Sequence, residues 1–460
     1  MMSDTQNAAS MRIASLLDAN SFVEVGAAVK ARATDFNLGA KAAPSDGVIT
    51  GFGTIEGSPV YVYSQDASVL GGTIGEMHAK KIVRLYDMAA KTGSPIIGIL
   101  DSNGVRLEES SDALNALGEI FAAMSSASGL IPQITVAAGN CGGALSFIPA
   151  LSDFVFMTDK AKMFVNSPNA IEGSSADVLD NRTAEYQAKA GNADFIGSEE
   201  EVLAAVRTLA GLLPLNNEDD GEVVACTDDL NRATPNLSTL KDNAAAILEQ
   251  IADNGMFFET KKAHGGNMTT GFMRLNGQTV GAVANRGLKD TICPCCAGKA
   301  ADFIAFCDAF SIPLLTVANA SSYARSEKAE KQLPAMAAKL IHAYANATVP
   351  KVTLVAGKAF GGAYIMMGSK ALGADMVYAW PDASIGAMDA KMAAKMIGGE
   401  KAAEVQKGFA ELQNNVSSAA ARGYVDTVIE EADTRKYLIG AFEMLYTKRE
   451  SRPSKKHGTI

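Results

Sequence analysis

The chain has 460 residues and is poor in the groups that most enzymes of its size rely on. It has four histidines, His78, His264, His342 and His457, and none lies in either of the two glycine motifs described below. His78 and His342 fall in helical stretches and read as surface or satisfied residues. There is no Gly-x-Ser-x-Gly elbow, and Cys141, though beside a glycine pair, has no base in its neighbourhood, so ordinary nucleophilic and acid–base catalysis have few candidates. No strand–Gly-x-Gly-x-x-Gly–helix unit with an acidic residue about 20 positions on is present, and no Walker loop. Dinucleotide and ATP binding are therefore unsupported. Six cysteines are too few and too scattered for a disulfide framework. Their only cluster, Cys293-Pro294-Cys295-Cys296, lacks the second pair or the histidines at metal spacing that a zinc site needs. The expectation is no metal and a reduced, partly buried loop. No apolar run reaches the roughly 18 residues of a membrane span. The polar stretch from Met1 to Ser10 lacks the basic and apolar regions of a signal peptide, so the expected location is the cytoplasm. A net charge of −10 argues against nucleic acid as a partner.

What is there is ordinary in bulk and unusual in arrangement. Hydrophobic residues make up 48% and charged residues 20%, the balance of a globular protein long enough for two domains of about 200 residues. One piece of sequence occurs twice. Ile131-Pro132-Gln133-Ile134-Thr135-Val136-Ala137-Ala138-Gly139 leads into Gly142-Gly143-Ala144, and Val349-Pro350-Lys351-Val352-Thr353-Leu354-Val355-Ala356-Gly357 leads into Gly361-Gly362-Ala363. Each reads as a buried strand, a glycine turn and a helix start. Free N–H groups and the positive dipole end at a helix start favour an oxygen that is gaining negative charge, so two motifs suggest two developing oxyanions.

The duplication extends further. Thr50-Gly51-Phe52 matches Thr270-Gly271-Phe272, Ile55-Glu56-Gly57 matches Leu275-Asn276-Gly277, and Gly93-Ser94-Pro95-Ile96 is echoed by Ser311-Ile312-Pro313-Leu314. A nearly constant offset is the signature of an internal repeat. The expected order in each copy is a strand pair, a helix, a strand, a long alanine-rich helix and the glycine strand. The chain is thus expected to hold two copies of one α/β domain, residues 1–230 and 231–460. The connection is expected to run from the acidic stretch 216–222 to about Pro235. The basic C-terminal tail reads as a solvated end.

With so few side-chain bases, the remaining chemistry is one in which the protein positions a substrate and stabilises anions through backbone N–H groups, while something else takes the proton. Here the residues carry a family resemblance. Arg12-Ile13, Leu16-Leu17-Asp18, Ser21-Phe22-Val23-Glu24, Arg32-Ala33-Thr34-Asp35-Phe36 and the run from Asp46 to Ile55 belong to it. So do Ser64-Gln65-Asp66, the run from Gly71 to Ala79, Ala345 to Lys351, Tyr378-Ala379-Trp380-Pro381, and the end from Arg452-Pro453 to Lys455-Lys456-His457-Gly458. From about Met11 to the C-terminus the chain resembles the carboxyltransferase subunits of biotin-dependent acyl-CoA carboxylases and of sodium-pumping acyl-CoA decarboxylases.

The resemblance implies an α/β fold of tandem duplicated crotonase-like ββα domains, the first for acyl-CoA and the second for biotin. It places the active site where one subunit's first domain meets a partner's second, in a homo-oligomer expected to be a hexamer. It implies CO2 transfer between N-carboxybiotin and the α carbon of a short-chain acyl-CoA, with the decarboxylated biotin as base. The absence of a protein base then makes sense. Gly142, Gly143 and Ala144 would face the thioester oxygen, and Gly361, Gly362 and Ala363 the ureido oxygen of biotin. Gly71, Gly72, Arg106, Tyr364 and Ile365 would bind substrate, with Ile365 next to the reacting carbon. Biotin would arrive on a separate biotin carboxyl carrier protein. The partners would be a biotin carboxylase or sodium-pump decarboxylase subunits, the latter putting the chain at the periphery of a membrane complex.

The chain also departs from the family pattern. Gly139-Asn140-Cys141-Gly142-Gly143-Ala144 shifts the glycine pair by one relative to the usual Gly-Pro-Cys-Ala-Gly-Gly. Asp101-Ser102-Asn103-Gly104-Val105-Arg106 replaces an Asp-Ser-Gly-Gly-Ala-Arg loop. In the second copy Ala318-Asn319-Ala320-Ser321-Ser322-Tyr323 replaces an Asp-Val-Pro-Gly-Phe loop, and the stretch from Asp290 to Cys296 is altered too. These changes motivate one alternative, an inactive scaffold subunit. Another, a crotonase-type hydratase or thioesterase, would need a positioned carboxylate pair, for which Glu109 and Glu119 are the nearby candidates.

Overall fold

A computed structural model describes residues 7–32, 43–166, 180–219, 221, 223–286, 291–456 and 459–460. Residues 33–36, Asp290, His457 and Gly458, all used in the sequence reading, lie outside the described residues. By contacts the chain divides into Met1–Asp219 and Asp220–Ile460. Residues beyond the acidic stretch pack on the second unit. Val224 N donates to Gly277 O at 3.2 Å, and Thr234 N donates to Ala432 O at 2.9 Å.

Each unit is built on one mixed sheet. In the first, the hairpin Val48–Ile55 and Ser58–Gln65 is antiparallel. Ile96–Ser102, Gln133–Gly142, Phe154–Thr158 and Phe195–Gly197 then follow in parallel, while Lys162–Phe164 pairs with the far end of Gln133–Gly142. In the second, Met268–Leu275 and Gln278–Asn285 form the hairpin, followed in parallel by Leu314–Ala320, Lys351–Phe360 and Met376–Ala379. Ser384–Gly386 is the extra segment there. The hairpins close at Glu56-Gly57 and Asn276-Gly277, where all four residues have positive φ. A two-residue turn of that kind matches the twist of the flanking strands, which is why glycine stands second in both.

Parallel strands need crossovers, and helices supply them. Glu76–Thr92 and Ser110–Ala127 cross over in the first unit, Pro294–Ala309 and Glu327–Asn346 in the second. The helix Glu76–Thr92 buries His78, Ile82, Leu85 and Ala89, one stripe at helical spacing, and stops where Gly93 turns left-handed at φ 62°. The strands behind it are buried on both faces, as covered parallel sheets require.

The two units share their register. Tyr61 pairs with Ile96 and Ile96 with Gln133; Gly281 pairs with Leu314 and Leu314 with Lys351. Even the irregularity repeats. Opposite Leu100 and Ser102 the glycine strand jumps from Ala137 to Cys141, and opposite Ala318 and Ala320 it jumps from Val355 to Ala359. A bulge of this kind re-aims the end of a strand.

Candidate active site

The side chain at the end of the central strand fills each bulge. A Cβ on Gly139 would collide with the Asp101 carboxylate, and one on Gly357 would lie 2.7 Å from Asn319 Oδ1. Glycine is required there by what sits opposite it. Asp101 is held by Arg12 Nη1 at 3.0 Å, and Asn319 Oδ1 accepts from Lys358 N at 3.0 Å. Behind them the pattern repeats again. Asp101 N donates to Gln65 Oε1 at 3.1 Å, and Asn319 N donates to Asn285 Oδ1 at 3.0 Å. The altered loop of the second unit thus keeps the first unit's geometry.

Both glycine strands are ten residues long, and the residue after each begins a short helix. Gly143 and Gly361 therefore occupy the same place, with φ values of 65° and 57°. This corrects the pairing suggested by the glycine pairs themselves. Gly142 corresponds to Phe360, Ala144 to Gly362, and Leu145 to Ala363. Gly142 has a packing reason to be glycine, because a Cβ there would lie 2.5 Å from the Phe164 ring. In the second unit the pair is exchanged, with Phe360 opposite Gly386. Neither helix start has a side-chain cap, unlike Glu199–Ala210, which is closed by the Ser198–Glu201 box. The first N–H groups after Gly142 and Phe360 are the orphan donors that a helix start offers to an anion. Cys141 is fully buried and burial pushes its thiol up to about 12, so it is no nucleophile.

Gly71 and Gly72 lie in a turn zipped to the loop after Asp101. Asn103 N donates to Gly71 O at 3.0 Å, Ile74 N to Gly104 O at 2.9 Å, and Arg106 N to Ile74 O at 2.9 Å. Arg106, expected to bind substrate, is committed within the protein. It is 1% exposed, and its guanidinium donates to Asp46 Oδ1 at 2.6 Å, Glu109 Oε1 at 2.8 Å and Thr73 O at 2.7 Å. Glu109 Oε2 in turn accepts from Glu76 N at 2.6 Å, and Asp46 Oδ2 accepts from His78 N at 2.8 Å. The carboxylates cap the helix start, and Arg106 compensates their charge. Glu109 is thereby fully engaged, while Glu119 is paired with Asn115 on an exposed helix face, so neither offers the free carboxylate a hydratase needs.

His78 is fully buried. Its Nδ1–H donates to Asp46 O at 2.9 Å and its Nε2 accepts from Gln65 Nε2 at 3.2 Å, which fixes a neutral tautomer. Burial drives its pKa down to about 3, helped by Arg106 and Lys81. Lys81 is itself pushed down to about 8 by burial and reaches the carbonyl of Val48. Lys299, its repeat partner, donates to Met268 O at 3.0 Å. These lysines tie each first helix to the first residue of its hairpin, and sequence reasoning missed both. The signal was available, since Lys81 and Lys299 stand at the repeat offset. Tyr364 is half-buried, with a hydroxyl raised to about 12 by burial, and Ile365 is 45% exposed at the end of its short helix. A Cβ on Gly362 would collide with Tyr323 Oη, so that hydroxyl overhangs the second glycine turn.

A duplicated sheet with two uncapped glycine turns is a family-level arrangement, and comparison decides which family. Residues 3–460 match the carboxyl transferase domain. The chain belongs to the carboxyl transferase family. It is 41% identical to the propionyl-CoA carboxylase beta chain of Roseobacter denitrificans, over 98% of this chain and 92% of that one. It is 39% identical to the methylmalonyl-CoA decarboxylase subunit alpha of Propionigenium modestum, with the same coverage. The crystal structure of transcarboxylase 12S, a hexamer with methylmalonyl-coenzyme A and methylmalonic acid bound, superposes with a TM-score of 0.94 at 38% identity, covering 98% and 92% of the two chains. The carboxyl transferase fold here is the duplicated crotonase-like ββα fold. Among the described residues no helix is long and apolar enough to cross a membrane.

Proposed function

We propose that this chain is the carboxyltransferase subunit that moves CO2 between N-carboxybiotin and the α carbon of a short-chain acyl-CoA. The observation that carries the reading is the pair of uncapped strand-to-helix turns at Gly143 and Gly361, repeated in register. Biotin, delivered on a separate carrier protein, supplies the carboxyl group and the proton-accepting chemistry. The residues of this chain do the rest. The amides following Gly142 face the thioester oxygen, and those following Phe360 face the ureido oxygen of biotin. At Gly362 the Tyr323 Oη leaves no room for a side chain, so the hydroxyl stands at the edge of the turn as a group that can meet biotin. Aligned N–H donors in a water-poor site stabilise charge mainly as it develops, which raises turnover rather than ground-state affinity.

The relatives' names support propionyl-CoA and methylmalonyl-CoA as the substrate pair, and the partner subunits set the direction. The first unit, to Asp219, holds acyl-CoA and the second holds biotin, with Tyr364 and Ile365 beside the acyl group. A hexamer, as in transcarboxylase 12S, completes each site from two subunits. Incubating the purified chain with free biotin and methylmalonyl-CoA or malonyl-CoA tests the reaction. Biotin-dependent decarboxylation is expected, and none in a folded protein would leave a scaffold. Sedimentation is expected to give a hexamer, and an active monomer at assay concentration would end the shared-site reading.

A further inference from the structure

The start of the helix Pro294–Ala309 holds a group of side chains that the transfer reaction does not use. Cys293 caps the helix, and its Sγ accepts from Cys296 N at 3.2 Å. Cys295 Sγ lies 2.8 Å from Cys293 Sγ, and the three sulfurs of Cys293, Cys295 and Cys296 all lie within 4.8 Å of one another. Cys296 is buried, Cys293 half-buried and Cys295 exposed, so the group opens to solvent on one side. The loop before Met268 closes another side. A Cβ on Gly265 would lie 3.3 Å from the Cys295 carbonyl and 3.4 Å from Cys296 Cα.

The repeat makes this group unusual. Thr291–Ile292 pairs with Ser322–Tyr323, and Ala324 N donates to Ile292 O at 3.0 Å, just as Ile74 bridges Val105 and Arg106 N donates to Ile74 O at 2.9 Å. Ala324 therefore stands where the first unit has Arg106, and Cys296 stands where it has His78. Asp46 has Gly266 as its repeat counterpart. The arginine and the Asp46 carboxylate that close the helix start in the first unit have no counterpart, Glu327 at the place of Glu109 pairs with Lys331 on the surface, and three thiols stand at the helix start instead.

We propose that Cys293, Cys295 and Cys296 bind a thiophilic divalent cation of the zinc class, with the fourth position left to water on the open side. Cys293 and Cys296 have the Cys-x-x-Cys spacing of one arm of a structural zinc site, and the N–H donated to Cys293 Sγ orients that sulfur. Thiolates select soft cations over magnesium or calcium. Two sulfurs on one tetrahedral zinc stand about 3.7 Å apart for bonds of roughly 2.3 Å, so the exposed Cys295 turns outward by about 1 Å on binding. Each bound thiol loses its proton to solvent, and no redox change occurs. Counting ligands along the chain gave no metal for want of a second pair, but in the folded unit the three thiols of the run converge on one another. Bound there, the ion would fix Ile292 and, through its ribbon, Tyr323 over Gly362.

The test uses the intact protein expressed with zinc and passed through gel filtration. About one zinc per chain is expected by elemental analysis, released when a mercurial blocks the thiols and captured by a chromogenic chelator. Cobalt reconstitution is expected to give a thiolate-to-cobalt charge-transfer band in the near ultraviolet. Cys296→Ala should remove the ion, whereas Cys226→Ser should leave it bound. Because the wild-type measurements need no variant, a misfolded Cys296→Ala would not shield the proposal. Less than a tenth of an ion per chain in zinc-grown protein overturns it, as does a Cys293–Cys295 disulfide found by mass spectrometry in place of metal.

Discussion

The two units solve one problem in two ways. Each must close the start of the helix that follows its hairpin, directly beneath the loop that leads to its glycine turn. The first unit uses distant charges. Glu109 and Asp46 accept from Glu76 N and His78 N, and Arg106 sits buried between them. The second uses a local cysteine, with Cys293 Sγ accepting from Cys296 N and Ala324 where the arginine would be. The first arrangement carries full charges at no more than 3% exposure, and such a cluster is stable only while every member is present. The frame around it, bulge, register and positive-φ glycine, is the same in both. The helix start can therefore be rebuilt without moving the glycine turn.

The largest effect expected from this contrast is on stability. Arg106→Met leaves Asp46 and Glu109 buried without a cation, which is expected to cost about 3–5 kcal/mol. Urea unfolding followed by hydrogen exchange should place that loss in residues 43–166. Ala324→Met, at the matching place in the second unit, faces no buried carboxylate and is expected to cost under about 1 kcal/mol. Equal losses would mean that the first unit's cluster is not special.

The glycine turns should respond alike in rate and differently in substrate. Gly143→Val and Gly361→Val put a β-branched side chain at a positive φ, where it re-aims the amides that follow. Each is expected to lower kcat for biotin-dependent decarboxylation by on the order of 10²-fold, about 2.7 kcal/mol, in protein that still folds by circular dichroism. The first should also raise KM for acyl-CoA and the second KM for free biotin. Loss of both affinities in both variants would merge the two turns into one site.

Much of this comparison was legible in the sequence and some of it was not, for a physical reason. The duplication, the order of elements and the glycine strands are written in local patterns of period and turn residues. The correct alignment of the turns was hidden, because it depends on equal strand lengths counted from Gln133 and Lys351 rather than on matching Gly142-Gly143 to Gly361-Gly362. Arg106 was misread for a similar reason. Its partner Asp46 is 60 residues away, and nothing local marks an arginine as already satisfied. The bulge at Gly139 was invisible because it is a property of the pairing, not of either strand.

Acid should also separate the units. His78 has a folded pKa of about 3 against about 6.5 in the unfolded chain, so the unfolded state takes up its proton first as pH falls. The stability this residue contributes is fully present above pH 6.5 and drains away as pH drops towards 3, with a slope of at most about 1.4 kcal/mol per pH unit. Protonation would also set the Nε2 proton against the Gln65 amide that now donates to it. His78→Gln is therefore expected to flatten the stability profile between pH 6.5 and 4.5, measured by urea unfolding at each pH. The second unit has a cysteine at this place and no such proton to gain. A wild-type profile as flat as that of His78→Gln would remove the histidine from the account.

The smallest expected effect tests the overhang on the second turn. Tyr323 Oη lies over Gly362, and the matching position in the first unit, Val105, carries no hydroxyl. If that hydroxyl guides the ring that approaches the turn, Tyr323→Val makes the second unit resemble the first and loses one neutral hydrogen bond, worth roughly 0.5–1.5 kcal/mol. KM for free biotin should then rise about two- to tenfold, while KM for acyl-CoA and the unfolding transition stay put. Tyr323→Phe separates the hydroxyl from the ring. If the loss follows the hydroxyl, Phe behaves like Val; if it follows ring packing, Phe behaves like the wild type. A Tyr323→Val enzyme with an unchanged KM for biotin would show that the two turns work alike despite the overhang, and that the difference between the units stops at the helix start.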